Sequence, residues 1–287
     1  MLRALEHSES VLQDSAPLII NFLRANINPD GGFKGRNGKS DLYYTVFGLE
    51  ALIALGGSFP SKKILNYLQE FIKQEPVDLI HLVSLIRCYA NLINDDFKKG
   101  LRDKFIKSLK KFRSADDGYA NNVGVNNGTV YGCFFALTAY QDLQIDMPNQ
   151  TEVIECIQAL SNSDGSFSNE QKIQTGSTNA TAAAMMVLHH LGEPVNQKTA
   201  DWLFTQCSSS DGFLAMPEAP MPDLLSTATA LHALTTTGFK IEPLKEKCLD
   251  YIDSLWCSKG GFYGNWADTI LDCEYTYYGL LALGHLA

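Results

Sequence analysis

The sequence predicts an all-α fold, a closed ring of six helical hairpins forming an α/α toroid (α6/α6 barrel). Three observations predict it. A short turn of Asp or Gly, then Gly, then an aromatic recurs along the chain. A polar stretch follows most copies and leads into a helix that opens on Asp, Ser or Thr. A second helical stretch lies ahead of each opening, so the repeating unit is a helix pair.

The turns are Gly31-Gly32-Phe33, Asp117-Gly118-Tyr119, Asp164-Gly165-Ser166-Phe167, Asp211-Gly212-Phe213 and Gly260-Gly261-Phe262. Glycine there supplies positive φ for a tight reversal. The openings fall at Asp41, Asp78, Thr129, Ser177, Asp223 and Asp272, spaced 37 to 51 residues apart. Asp, Ser and Thr are the residues whose side chains cap the orphan N–H groups of a helix start. After Asp41, apolar or small residues at 44, 45, 48, 49, 51, 52 and 55 keep a helical period with a wide buried face. The stretch 78–89 is a degenerate copy that lacks the glycine turn. The partner stretches are 17–24, 63–73, 99–112, 153–160, 199–206 and 244–256. Twelve helices in six hairpins can stack as an open solenoid only with polar capping repeats at the ends. Here the chain ends apolar over 283–287 and the first pair is as apolar as the middle ones. Ring closure buries both ends, and residues 1–287 form a single domain.

Composition narrows the function classes. Of 287 residues, 45% are hydrophobic and 19% charged, with a net charge of −9 and no basic stripe, so nucleic acid is not an expected partner. No apolar run approaches the roughly 20 residues of a membrane span. Residues 1–15 mix charged and polar groups instead of forming a signal peptide, and the seven cysteines are scattered without a CxxC pair. The expected setting is cytoplasmic.

These turns and helix openings resemble the prenyltransferase/squalene-cyclase repeat superfamily, which includes protein prenyltransferase β subunits and toroidal terpene cyclases. The string Gly31-Gly-Phe-Lys-Gly35-Arg36-Asn-Gly-Lys39-Ser-Asp41-Leu-Tyr43-Tyr44 is similar to the GGxxGRxxKxxDxCY string of the prenyltransferase β subunits, one residue shorter between Lys and Asp. Val77-Asp78-Leu-Ile-His81 is similar to their D-x-x-H opening. The resemblance implies that Arg36 and Lys39 contact an isoprenoid diphosphate and that Tyr44 lies near the leaving group. It places Asp41 and His81 where metal ligands sit, which would bring zinc or magnesium as a cofactor. Tyr43 occupies the place of the family's zinc-binding Cys, so the implied zinc site is non-standard or absent. The implied function is a prenyltransferase-like enzyme that holds its isoprenoid in a central apolar funnel. It would work with a helical α-type partner subunit or as a homo-oligomer.

The residues by themselves leave alternatives open. Asp41 reads as a helix N-cap as well as a ligand, and His81 as a buried, hydrogen-bonded histidine. Tyr43, Phe47, Tyr131, Phe134, Tyr275 and Tyr278 on inner helices, with Trp266 on a preceding loop, are the candidate funnel lining. Aromatic faces there would suit a carbocation. A non-catalytic lipid- or protein-binding toroid is a second reading and a terpene cyclase a third. The cyclase reading calls for a buried acid of raised pKa. The acidic pairs Asp95-Asp96 and Asp116-Asp117 instead fall in polar loops.

Overall fold

The computed structural model describes residues 1–74, 76–93, 99–208 and 211–287, so Asp95 and Asp96 lie outside the described residues. The inner helices are α4 (Leu42–Ala54), α6 (Leu79–Ile93), α8 (Val130–Asp142), α10 (Thr178–His190), α12 (Leu224–Thr236) and α14 (Cys273–Leu286). The outer helices are α3 (Ala16–Ala25), α5 (Ser61–Ile72), α7 (Lys99–Leu109), α9 (Gln150–Gln158), α11 (Gln197–Thr205) and α13 (Lys245–Ser254). Each inner helix packs on the next, and α14 packs back on α4, so the ring is closed. Two short antiparallel ladders pair β1 (Phe33–Lys34) with β2 (Ser40–Asp41) and β3 (Trp256–Cys257) with β4 (Gly261–Phe262).

The repeat motif is a set of contacts that dock a turn on its own inner helix. Asp41, Thr129, Ser177, Asp223 and Asp272 all cap an inner helix by accepting a backbone N–H. The threonine four residues on accepts the N–H of the turn aromatic: Thr45 from Phe33, Thr181 from Phe167 and Thr227 from Phe213, each at 3.0 Å. The residue two positions before the turn aromatic has positive φ in every copy, with Gly31 at 102°, Asp117 at 61° and Asp211 at 71°. At Gly31, Gly165 and Gly260 that turn lies against backbone carbonyls of an outer helix. For Gly260 the carbonyl is that of Leu18, so the outer layer closes as well.

Neighbouring repeats are stitched by the first N–H of an inner helix. Leu79 donates to Asn121 O, Val130 to Asn169 O, Thr178 to Ala215 O and Leu224 to Gly264 O. Each bond fixes one hairpin's helix start to the loop of the next, so the six inner helices share one direction.

The N-terminal stretch differs from its sequence reading. Instead of a polar lead-in it forms α1 (Leu2–His7) and α2 (Glu9–Leu12), with α1 packed on α14 and α4 and Leu5 fully buried. The small residues of α14 admit it: a Cβ on Gly284 would fall 1.6 Å from the Ala4 carbonyl oxygen.

Gly48 shows why the motif carries a glycine within the helix. A Cβ there would lie 2.1 Å from the Phe33 ring. Gly48→Ala is therefore expected to destabilise the protein by about 1–3 kcal/mol, because the turn aromatic must leave its seat. Gly100→Ala, where an added Cβ meets nothing within 4 Å, serves as the matched control in urea unfolding. Equal midpoints for the two variants would contradict this account of the motif.

Candidate functional site

The shared direction of the inner helices brings equivalent positions to one central space. Counted two residues beyond each opening, Tyr43, Ile80, Tyr131, Asn179 and Leu225 line the same cavity of about 520 Å³. The next turn adds Phe134, Phe135, Ala182, Ala183, Thr229 and Tyr278. The walls are mainly aromatic and aliphatic, and the volume falls in the range of roughly 300–1,000 Å³ usual for small-molecule sites. Below lies a smaller recess of about 100 Å³ that shares Met1, Tyr43, Ile80, Phe134, Phe135 and Tyr278 with it. Phe47 lines this recess, edge-on to Tyr43 at 4.8 Å and to Tyr277 at 5.2 Å between ring centroids.

The helix N-termini surround one end of the cavity, and their positive dipole ends favour an anion there. Asp41, Asp78 and His81 also line the cavity. Asp41 is committed to capping, accepting from the amides of Tyr43 at 2.9 Å and Tyr44 at 3.2 Å. Asp78 accepts from the His81 amide at 2.9 Å, and its carboxylate lies 2.8 Å from His81 Nδ1. The His81 side chain is 43% exposed, so the buried histidine expected from the sequence is instead a half-exposed one on the cavity wall. Its carboxylate partner is Asp78, within the same opening. In the sixth repeat the equivalent of Tyr43 is Glu274, and the Tyr43 hydroxyl donates to it at 2.7 Å. Burial pushes the Glu274 carboxyl above its ordinary pKa, partly opposed by that hydrogen bond.

The profile of the prenyltransferase alpha-alpha toroid domain matches residues 1–213 and 180–286. The chain belongs to this family. Comparison with curated protein sequences finds no match. Solved structures share the fold. Protein geranylgeranyltransferase-I of Candida albicans, complexed with GGPP, is 17% identical with a TM-score of 0.74, over 94% of this chain and 90% of that one. A variant of the type II terpene cyclase MstE from Scytonema, in complex with merosterolic acid A, is 12% identical with a TM-score of 0.64, over 97% of each chain. An inactive variant of the α-1,6-mannanase GH76A of Salegentibacter, bound to α-1,6-mannotriose, is 14% identical with a TM-score of 0.66, over 95% and 98% of the two chains.

In this toroid the sequence-derived site residues separate into two groups. Tyr43, Phe47, Tyr131, Phe134 and Tyr278 line the cavity or its recess, together with Asp41 and His81. Arg36 is elsewhere: its Nε donates to Asp272 at 2.8 Å, its Nη2 to Asp268 at 2.7 Å, and its guanidinium lies 5.2 Å from the Tyr275 ring centroid. It clasps the first repeat to the sixth at the seam where the ring closes. Tyr44 stands beside this clasp, where burial and the nearby Glu274 and Asp272 carboxylates push its hydroxyl up to about 12. Lys39 is exposed and lines neither space.

Two expected lining residues are not on the wall. Tyr275 is held under Arg36 and against Gly264. Trp266 packs on Tyr251 at 5.4 Å and donates from Nε1 to Ser254 at 2.9 Å. Trp266 belongs to the loop before α14, which folds over α13.

The donors at the mouth do not fit a zinc ion. Among the described residues no group of three or more His, Cys, Asp or Glu side chains is placed to hold a metal. Asp41 Oδ1 is taken up by two amides, and Tyr43 offers a hydroxyl already given to Glu274. All seven cysteines are free, and none lines the cavity. No helix of the described residues is long and apolar enough to cross a membrane. Sequence reasoning missed the deepest layer of the wall, nine residues beyond the openings, where Glu50, Arg87, Thr138, Met186 and His232 stand. Polar residues recurring at one fixed offset on otherwise apolar helices were the available signal.

Proposed function

We propose that this toroid binds an isoprenoid diphosphate, with the chain in the central cavity and the diphosphate at the mouth, as a prenyltransferase-like protein. The observation that carries the reading is the cavity itself, walled by aromatic and aliphatic side chains and open where the inner-helix N-termini converge. Burying a chain there is worth about 0.8 kcal/mol per methylene-sized group, and the helix ends favour the anionic head. GGPP in the Candida structure is consistent with this reading as an analogy of fold.

Ala182 and Ala183 on α10 leave the space that the chain fills. Ala183→Trp is expected to weaken geranylgeranyl diphosphate binding at least tenfold in a calorimetric or native-mass titration, with the melting profile retained. Unchanged affinity in a folded variant would sink the assignment.

A second reading, a binding toroid without catalysis, is favoured by the commitment of Arg36 to two carboxylates instead of to the mouth. Incubation with geranylgeranyl diphosphate and a hydroxyl or thiol acceptor separates the two. Release of diphosphate marks the transferase, and intact recovery of the bound molecule marks the carrier.

A further inference from the structure

We propose that the floor of the cavity is a polar subsite that hydrogen-bonds an oxygen at the buried end of the ligand, so that the preferred ligand is a terminally oxygenated isoprenoid. This rests on the proposed occupancy of the cavity by an isoprenoid chain and names the chemistry of its far end.

The floor is built from an ion pair that an apolar funnel does not need. Glu50 on α4 is 2% exposed. Its Oε1 accepts from Arg87 Nε at 2.5 Å and from Asn91 Nδ2 at 3.1 Å, both on α6. Arg87 uses only Nε in this pair. Its two terminal nitrogens make no hydrogen bond to the described residues, and the side chain lines the recess beneath the main cavity. Ser84, one helical turn earlier, lines the same recess and its hydroxyl is likewise without a hydrogen-bond partner among the described residues. Thr138 is different, because its hydroxyl is given to the Phe135 carbonyl at 2.9 Å.

A purely structural role for the pair, tying α4 to α6, accounts for the Nε–Oε1 bond. It does not account for Glu50 Oε2, which is buried and without a hydrogen-bond partner among the described residues, beside a guanidinium and a serine hydroxyl that line the recess. Placing a charged pair in an apolar interior is commonly no better than a hydrophobic pair of the same size, and unmade hydrogen bonds there add to the cost. A ligand oxygen that reaches the recess would accept from the Arg87 terminal N–H groups and from Ser84. Glu50 already balances the guanidinium, and Asp142 adds a further negative field at Arg87. A hydroxyl, which can accept from Arg87 and donate to the unpartnered Glu50 Oε2, therefore fits better than a carbonyl or a carboxylate.

The test compares geranyl, farnesyl and geranylgeranyl diphosphates with analogues carrying a hydroxyl on the terminal methyl, together with the corresponding alcohols lacking the diphosphate. One chain length should place the hydroxyl in the recess and bind about tenfold tighter or more than its parent, as expected for a hydrogen bond to a charged group. Glu50→Gln combined with Arg87→Met removes both charges together and should abolish the preference for the hydroxylated compound over its parent. Ser84→Ala, the gentler change, should reduce it. A hydroxyl that is neutral or unfavourable at every length overturns the subsite. Failure of every parent diphosphate to bind instead overturns the proposed function, and the alcohol pairs still report on the floor.

Discussion

Arg36→Ala is expected to cost the ring about 2–3 kcal/mol, the largest loss from any exposed-side substitution in the first repeat. Asp272, which caps α14, has a side chain only 3% exposed and accepts from Arg36 at 2.8 Å. Asp268 is 11% exposed and accepts at 2.7 Å. Removing one partner of a fully buried pair costs about 3–5 kcal/mol because the other charge is stranded. The value here is lower because Arg36 itself is 36% exposed and its charge is screened by solvent. Arg36→Lys should recover only part of the loss, since one ammonium cannot reproduce the fork that reaches two acids and covers the Tyr275 ring. Lys39→Ala, on the same loop but exposed, should stay within about 0.5 kcal/mol of the parent. Urea midpoints at low and high salt decide the matter. If Arg36→Ala leaves the midpoint unchanged but abolishes diphosphate binding, the residue serves the ligand and not the seam.

The clasp also shows where the sequence was readable and where it was not. The six openings, the turns and the closure of the ring were legible because each depends on local chemistry: a cap at Asp41, a threonine at Thr45, a glycine beneath Phe33. The seam contacts of Arg36 were not legible because its partners, Asp268 and Asp272, lie more than 230 residues away and meet it only when the ring closes. Its motif context marked it as a cation on a loop, which is equally true of a clasp and of a phosphate contact. Tyr275 and Trp266 were assigned to the funnel by residue type, yet the inward direction is set by the helical offset from the cap. Tyr43 and Tyr131, two residues beyond their caps, lie on the wall, whereas Tyr275 is three beyond its own. The same offset rule, carried two turns further, would have marked Glu50, Arg87 and His232 as the floor.

Acidification from pH 6.5 to 4.5 is expected to remove several kcal/mol of stability through the histidine pair at that floor. His232 Nδ1 lies 2.8 Å from His285 Nε2, so one ring must donate to the other, and the arrangement requires that at least one of them be neutral. Burial is the first cause that depresses both pKa values, to about 2 for His232 and about 4 for His285. The positive amino terminus at Met1 adds to each, and Arg87 adds to His232. The folded values lie below the unfolded value near 6.5, so the unfolded chain takes up protons first as the pH falls. The stability linked to neutral imidazoles is thus complete above pH 6.5 and declines towards the folded values. Two pH units correspond to about 3 kcal/mol for one such group. Glu274, Asp223 and Asp272, whose pKa values burial raises, act with the opposite sign and return part of this at the acid end. A net loss of about 2–4 kcal/mol remains, a large share of the 5–15 kcal/mol typical of a folded domain. The measurement is the difference in unfolding free energy between the parent and His232→Gln/His285→Gln as a function of pH. The double variant keeps a neutral hydrogen-bonded pair and should lose most of the slope between pH 6.5 and 4.5. If both proteins show the same slope, the acid sensitivity belongs to carboxylates elsewhere and the floor histidines do not titrate in this range.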